Sequence, residues 1–313
     1  MAWRALSRIF ASLATLFIVI ALAFFLMRLA PGGPFDSERP LDPEIAKNLR
    51  HIYRLDLPLG QQFLVYLQSL AHCDFGPSLH WRDFSVNELF AHALPISMRL
   101  GAEAMIAALA IGGALGIVGA AARPGWRANL GGFAVDVAAF IGVLLPPFVI
   151  APLLQLFFGL TLHALPVGGW NEGAWKNQIL PAATLALPQI AIIARLMQAS
   201  LRDALKEPHM RTLRAFGLPP SRITAHAIRA AILPVVSYLG LAAANVLTGS
   251  VVVETIFGIP GMGRYFVDGA LGRDYTLVMG TVVVVAALVI FFNLLVDLTY
   301  AWLDPRIADA EGR

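Results

Sequence analysis

The chain has 313 residues, of which 58% are apolar and only 14% charged, whereas soluble domains average roughly 25% charged residues. Such a composition excludes an ordinary water-soluble enzyme and calls for several segments solvated by lipid. The net charge of +3 follows from the positively charged flanks that membrane proteins keep in the cytoplasm, and it implies no nucleic-acid partner.

A helix rises about 1.5 Å per residue, so crossing a hydrocarbon core of about 30 Å takes roughly 20 apolar residues. Six stretches reach that length: residues 9–30, 97–122, 133–160, 179–197, 232–257 and 277–303. The first follows Arg4 and Arg8 as a secretory leader would. Its apolar run is longer than the roughly 7–15 residues of a leader, and Pro31 follows Ala30 with no A-x-A-like site, so it reads as a retained first helix. The expected fold is all-α and integral to the membrane, with six transmembrane helices. Arg4, Arg8, Arg123, Arg127, the Arg202 to Arg229 segment, Arg306 and Arg313 fall on one side when the N-terminus is placed inside. Both ends are therefore expected in the cytoplasm.

Residues 31–96 are too polar to span. Asp42 with Pro43 suits an N-cap and first helical position, and Ser85 with Glu88 forms an S-x-x-E capping box. Between them Phe63, Tyr66, Leu67 and Leu70 recur at helical spacing, which predicts a small helical lobe outside the membrane. Cys73, the only cysteine, has no partner for an internal disulfide and is expected to be a buried thiol.

Inside the spans, Ala108, Gly112, Gly116 and Ala120 place a small residue at every fourth position, a face that lets a neighbouring backbone approach closely. Pro146, Pro147 and Pro152 in the third span, and Pro181 and Pro188 in the fourth, are expected to break or kink those helices. Irregular backbone at membrane depth is tolerated where it lines a cavity or is buried in protein, so the third to fifth spans are the candidates for a path. Charged groups in or near the spans are Arg28, Arg99, Glu103, Asp136, Arg195, Glu254 and Asp297. Arg28, Arg195 and Asp297 lie close enough to span ends to snorkel. Glu103 is deeper, and lining of the path and pairing with Arg99 both remain open for it. The pathway candidates are Glu103, Pro146, Pro147, Pro188 and Glu254.

The longest cytoplasmic connection, residues 201–231, contains KEPHMRTLRAFGLPPSR from Lys206 to Arg222. Pro208 suits a first helical position after Glu207, Gly217 suits a left-handed position past the end, and Pro219 with Pro220 prevent continuation. Along this short helix Met210, Leu213 and Phe216 recur every third residue while Arg211 and Arg214 project elsewhere. A helix lying in the lipid headgroups and a helix that inserts its apolar stripe into a partner's groove both satisfy that pattern.

This stretch resembles the signature loop of bacterial ABC-importer permeases, in the branch that takes up dipeptides and oligopeptides. The family carries an R-T-A-R-A-K-G-L core, matched here by Arg211, Thr212, Leu213, Arg214, Ala215, Phe216, Gly217 and Leu218, with Leu213 and Phe216 as departures that add apolar bulk. FFLMRLAPGGPF (24–35), DFGPS (74–78), ILP (232–234), GSVVVETIFGIPGMG (249–263), RDY (273–275) and LDPRI (303–307) are similar to the B-type subunit of the oligopeptide permeases. The resemblance implies a type I importer permease fold: a first helix with its outside segment over residues 1–96, a five-helix core over 97–303, and a cytoplasmic tail over 304–313. It also implies docking of ATPase subunits on the helix from Glu207 to Gly217, a homologous second permease, two cytoplasmic ATPases and an extracytoplasmic peptide-binding protein. Oligopeptides rank above dipeptides and other peptide cargoes on the likeness of the outside segment.

The chain's own residues agree with a passive role. A P-loop needs Gly-Lys-Ser or Gly-Lys-Thr, and none of the three lysines, Lys47, Lys176 and Lys206, follows a glycine. No cofactor is expected on this chain, and ATP with Mg is left to the partner ATPases. The seven histidines form no H-E-x-x-H pair, and no G-x-S-x-G elbow occurs. The alternative from the residues alone is an ion-coupled secondary transporter or channel in which Glu103, Asp136 and Glu254 relay protons or ions.

Overall fold

A computed structural model of the chain describes residues 2–29, 54–81, 83–121 and 144–303, with the single positions 44, 48, 51 and 142. Asp42, Pro43, Arg123, Arg127, Asp136 and the tail 304–313 lie outside the described residues, as does most of the first half of the third expected span. Among the described residues the structure is helical, with only an isolated bridge between Pro77 and Ser85. In chain order the elements are α1 (Ala2–Leu29), α2 (Leu59–Ala71), α3 (Val86–Ala107), a π-helical stretch Ala108–Gly112, α4 (Gly113–Ala121) and α5 (Pro147–Leu154). A second π-helical stretch Gln155–Thr161, a 3-10 turn Asn171–Gly173, α6 (Trp175–Ala204), α7 (Pro208–Ala215), α8 (Pro220–Phe257), α9 (Met262–Leu271) and α10 (Tyr275–Leu303) complete it.

Five helices are long and apolar enough to cross a membrane: Ser7–Leu29, Val86–Ala120, Trp175–Ala204, Pro220–Phe257 and Tyr275–Val296. The described part of the third expected span is the shorter apolar helix Pro147–Thr161. Two spans start earlier than hydropathy places them. The Ser85–Glu88 capping box forms, with the Ser85 amide donating to Glu88 Oε2 at 2.8 Å and the Glu88 amide to Ser85 Oγ at 3.2 Å. It opens the second spanning helix itself, at Val86. Pro219 and Pro220 end α7 as expected, but they also open α8, as N-cap and first residue, well before Ile232.

The chain divides into two compact units, residues 98–259 with 291–313 and residues 2–97 with 260–290. In the first unit α6 is central: it packs against α4 and α8, and more than half of its apolar window is buried. The small-residue face does what close approach requires. A Cβ on Gly112 would lie 2.8 Å from the Ile190 carbonyl oxygen, and one on Gly116 would lie 2.7 Å from that of Ala194. A strict four-residue repeat drifts by about 40° per step around an α-helix, and the wider π-helical turn at Ala108–Gly112 offsets part of that drift. Pro181 and Pro188 were expected to break or kink the fourth span, yet α6 runs through both without a break. Each proline deletes only its own N–H bond, the neighbouring helices hold the remaining turns, and Thr184 Oγ1 donates to the Leu180 carbonyl at 2.8 Å between them.

In the second unit the expected face of α2 is realised. The Phe63 ring meets Phe17, Phe24 and Phe25 of α1 at centroid distances of 6.1, 5.2 and 5.4 Å, and Tyr66 meets Phe24 at 5.9 Å. A core of Val86, Leu89, Phe90, Ala93, Met262 and Leu277 forms beside it. Asp274 is fully buried at the N-cap of α10, where its Oδ1 accepts from the Leu277 amide (3.0 Å). Its Oδ2 accepts from Ser78 Oγ (2.5 Å) and from the amides of Leu79 (2.9 Å) and His80 (3.1 Å). Cys73, expected to be buried, is exposed at a turn with φ of 56°. The turn carries it there, because the Cys73 amide closes the end of α2 on the Leu70 carbonyl at 2.9 Å while its own carbonyl accepts from Asn87 Nδ2 at 2.6 Å.

Candidate functional site

Two places in the first unit carry the residues that the sequence singles out. One is α7. Glu207 is its N-cap and Pro208 its first residue, where the missing proline N–H costs nothing. Its C-terminal end is closed by a Schellman motif: the Gly217 amide donates to the Arg214 carbonyl (3.0 Å) and the Leu218 amide to the Leu213 carbonyl (3.2 Å). That geometry requires the positive φ of Gly217, 74°. Arg214 Nη2 donates to the carbonyl of Leu205 at 3.1 Å, which fastens the helix to the turn that precedes it. His209 and Glu207 form an exposed pair at 3.3 Å, and Lys206 and Asp203 another at 3.1 Å.

The expected apolar stripe is divided by the fold. Met210 is buried, only 1% exposed, and anchors α7 to its own chain, whereas Phe216 is 76% exposed and Leu213 is half-buried. Arg211, Thr212, Arg214, Ala215 and Gly217 are all exposed. The apolar surface that α7 leaves exposed is therefore Phe216 and part of Leu213, rimmed by the two arginines.

The other place is a cavity of about 280 Å³ in the first unit. Pro146, Pro147 and Pro188 line it, together with Ile192 and the amide side chains of Gln189 and Asn245. Pro146 is extended, with ψ of 150°, and ends the helical run before it, and Pro147 restarts the helix as α5. Gln189 Oε1 accepts from the Tyr238 hydroxyl at 2.6 Å. Gln189, Tyr238 and Asn245 carry no charge and escape a search for charged residues. The signal available in the sequence is a Gln and an Asn inside otherwise apolar spans.

The two carboxylates among the candidates lie elsewhere. Glu103 Oε1 pairs with Arg99 Nε at 3.0 Å, one turn apart on α3. The Arg99 guanidinium is also 5.8 Å from the Trp170 ring centroid and reaches the Gly173 carbonyl at 3.5 Å. Of the two roles open to Glu103, the pairing with Arg99 is formed. Glu254 is fully buried in the last turn of α8, beneath a second Schellman closure in which the Ile259 amide donates to its carbonyl at 2.8 Å. The end of α8 is covered by the 166–170 loop, whose Gly169 amide donates to the Phe257 carbonyl at 2.7 Å. Asn177 Nδ2 holds the same loop through the Gly168 and Gly169 carbonyls, at 3.0 and 3.1 Å. Neither Glu103 nor Glu254 lines the cavity.

Long apolar helices, a cavity beside a proline break, and a short capped helix presented on a connection define a polytopic membrane protein. The chain belongs to the family of binding-protein-dependent transport system inner membrane components, which matches residues 112–309. It is similar to the oligopeptide transport system permease protein OppB of Salmonella typhimurium, with 47% identity over 304 residues that cover 96% of this chain and 98% of that one. The OppB protein of Escherichia coli K12 shares the same identity and coverage. The dipeptide transport system permease protein DppB of Bacillus subtilis is 40% identical over 308 residues, 98% of each chain.

Proposed function

We propose that this chain is the B-type permease subunit of an ATP-driven importer that moves peptides, oligopeptides in particular, across the bacterial inner membrane. The observation that carries the reading is α7: an attachment helix fixed by buried Met210, closed at Gly217, and presenting Phe216 outward. Near-complete alignment with permeases named for oligopeptide and dipeptide transport supports the cargo class. The chain acts with a homologous second permease, two cytoplasmic ATPases that bind ATP and Mg, and an extracytoplasmic peptide-binding protein. Both termini and α7 are placed in the cytoplasm, as the distribution of Lys and Arg favours.

In this scheme closure of the ATPases around nucleotide displaces α7, and the bundle turns from inward-facing to outward-facing. Differential contact of α7 with the two ATPase states supplies the drive. The ion-relay alternative gains no support from Glu103, which Arg99 already holds. Replacing Phe216 with Asp tests the scheme: the ATPases are expected to be lost from the purified complex and uptake to fall at least tenfold. Full co-purification with persistent uptake would overturn it.

A further inference from the structure

Asn245 is an exposed amide on α8, more than three turns from the nearer end of that helix, and Gln189 sits at the midpoint of α6. An amide facing hydrocarbon without a hydrogen-bonding partner is costly, so polar groups within a span face a cavity or another protein. Tyr238 lies two helical turns before Asn245 on the same face of α8 and donates to Gln189 Oε1 across the interface with α6. Tyr238 and Gln189 thus form a hydrogen-bonded pair across the interface, and Gln189 and Asn245 are both among the residues that line the cavity at the proline break.

We propose that Gln189, Tyr238 and Asn245 form a polar relay in the translocation path that holds backbone amides of the peptide in transit. The proposal rests on the reading of the chain as a peptide permease and adds the residues that touch cargo. A side-chain amide carries two N–H donors and a carbonyl acceptor, so it can pair with both the carbonyl and the single N–H of a peptide bond. Contacts of that kind ignore side-chain identity, which suits cargo of varied sequence, and being neutral they do not trap it as an ion pair would. The remaining lining, Leu145, Pro146, Pro147 and Ile192 among it, is apolar and offers no competing donor. At about 280 Å³ the cavity is just below the roughly 300–1,000 Å³ of typical ligand pockets, so it holds a short stretch of backbone and not a whole peptide. A pair serving only to join α6 to α8 is complete with Tyr238 and Gln189. Asn245 stands outside that pair, exposed, and lines the cavity.

The test compares uptake of one peptide with uptake of its backbone N-methylated analogue by the assembled importer in proteoliposomes, in wild type and in Asn245→Leu. The binding protein is common to both, so a change in the preference ratio belongs to the permease. The expected result is a fall in uptake of the parent peptide by about fivefold, the worth of one hydrogen bond. The parent-to-analogue ratio should at the same time collapse toward one, with the second permease and ATPases retained. An unchanged ratio, or loss of the second permease from the complex, overturns the proposal. Should Asn245→Leu fail to assemble, a photo-crosslinking residue at position 245 decides: labelling of peptide during turnover supports contact, and labelling of the second permease alone overturns it. Wild-type importer that takes up no peptide with ATP would overturn the functional reading and this proposal together, whereas normal wild-type uptake with an unchanged ratio removes the relay alone.

Discussion

Asp274 accepts a 2.5 Å hydrogen bond from the hydroxyl of Ser78, 196 positions earlier in the chain. The D-F-G-P-S and R-D-Y segments, far apart in sequence, thereby form one structure. The same carboxylate caps α10 through the Leu277 amide and takes the amides of Leu79 and His80, so a single buried charge is satisfied almost entirely by fixed donors. Asp274→Ala should lower the stability of the protein by about 3 kcal/mol or more, since it removes a cap and strands buried donors. Ser78→Ala should cost about 1–3 kcal/mol. Thermal unfolding in detergent checks both, and equal midpoints for wild type and Asp274→Ala would refute the account.

The contact between α4 and α6 depends on missing side chains. A Cβ at Gly116 would stand 2.6 Å from that of Met197, whereas one at Gly113 would meet nothing within 4 Å. Gly116→Ala is therefore expected to push the helices apart and destabilise by about 1–3 kcal/mol. Gly113→Ala should be neutral or stabilising by up to about 1 kcal/mol, because alanine favours the helix. The opposite order in an unfolding series would rule out backbone contact as the reason for the glycine.

Met210 and Phe216 are separated in role by burial. Met210→Asp places a charge at a buried position and should reduce folded, membrane-inserted protein several-fold, as judged by gel-filtration recovery. Gly217→Val strains a left-handed position in open space, costing about 1–2 kcal/mol. It should appear as faster amide exchange at Leu218, with the rest of the chain unaffected.

Tyr66 lies on α2, outside the candidate spans, and burial pushes its hydroxyl up to about 12 from an ordinary value near 10. The folded state holds the neutral phenol, so the contribution to stability is intact below about pH 10, the unfolded value. It is lost as pH rises from there toward 12, where the unfolded chain ionises first. Tyr66→Phe should remove that alkaline loss. It should also leave neutral-pH stability equal or slightly higher, because the hydroxyl has no hydrogen-bond partner among the described residues. Retention of the full alkaline transition in Tyr66→Phe would assign it elsewhere.

Punctuation by rigid residues was the most legible layer of the sequence. Pro208 and Gly217 mark the limits of α7, and Ser85 with Glu88 marks a helix start, because caps act through neighbouring backbone and need no tertiary context. Lengths were less legible where a helix is amphipathic. Ile223, Ala227 and Ala231 are buried at every fourth position of the first turns of α8, but Ser221, Arg222, His226 and Arg229 between them dilute the hydropathy. Of the break or kink expected in α6 the break is not realised, since whether Pro181 interrupts a helix is decided by what packs on either side of it. The division of the α7 stripe into buried Met210 and exposed Phe216 was hidden for the same reason. So was the meeting of Gln189 with Tyr238, as periodicity within one helix carries no record of its neighbour.

A helix of 38 residues, as α8 is, measures roughly 57 Å from end to end. Because α7 is bolted to the chain by Met210 and leads into α8 through Pro219 and Pro220, a tilt imposed at that end is not absorbed by a slack joint. A swing of about 5° at one end of such a rod moves the other by roughly 5 Å, close to the pitch of one helical turn. Under the proposed scheme a stroke applied through α7 would pass along α8 to its far end, with Pro234, which lacks a main-chain N–H, as the place where the rod can yield.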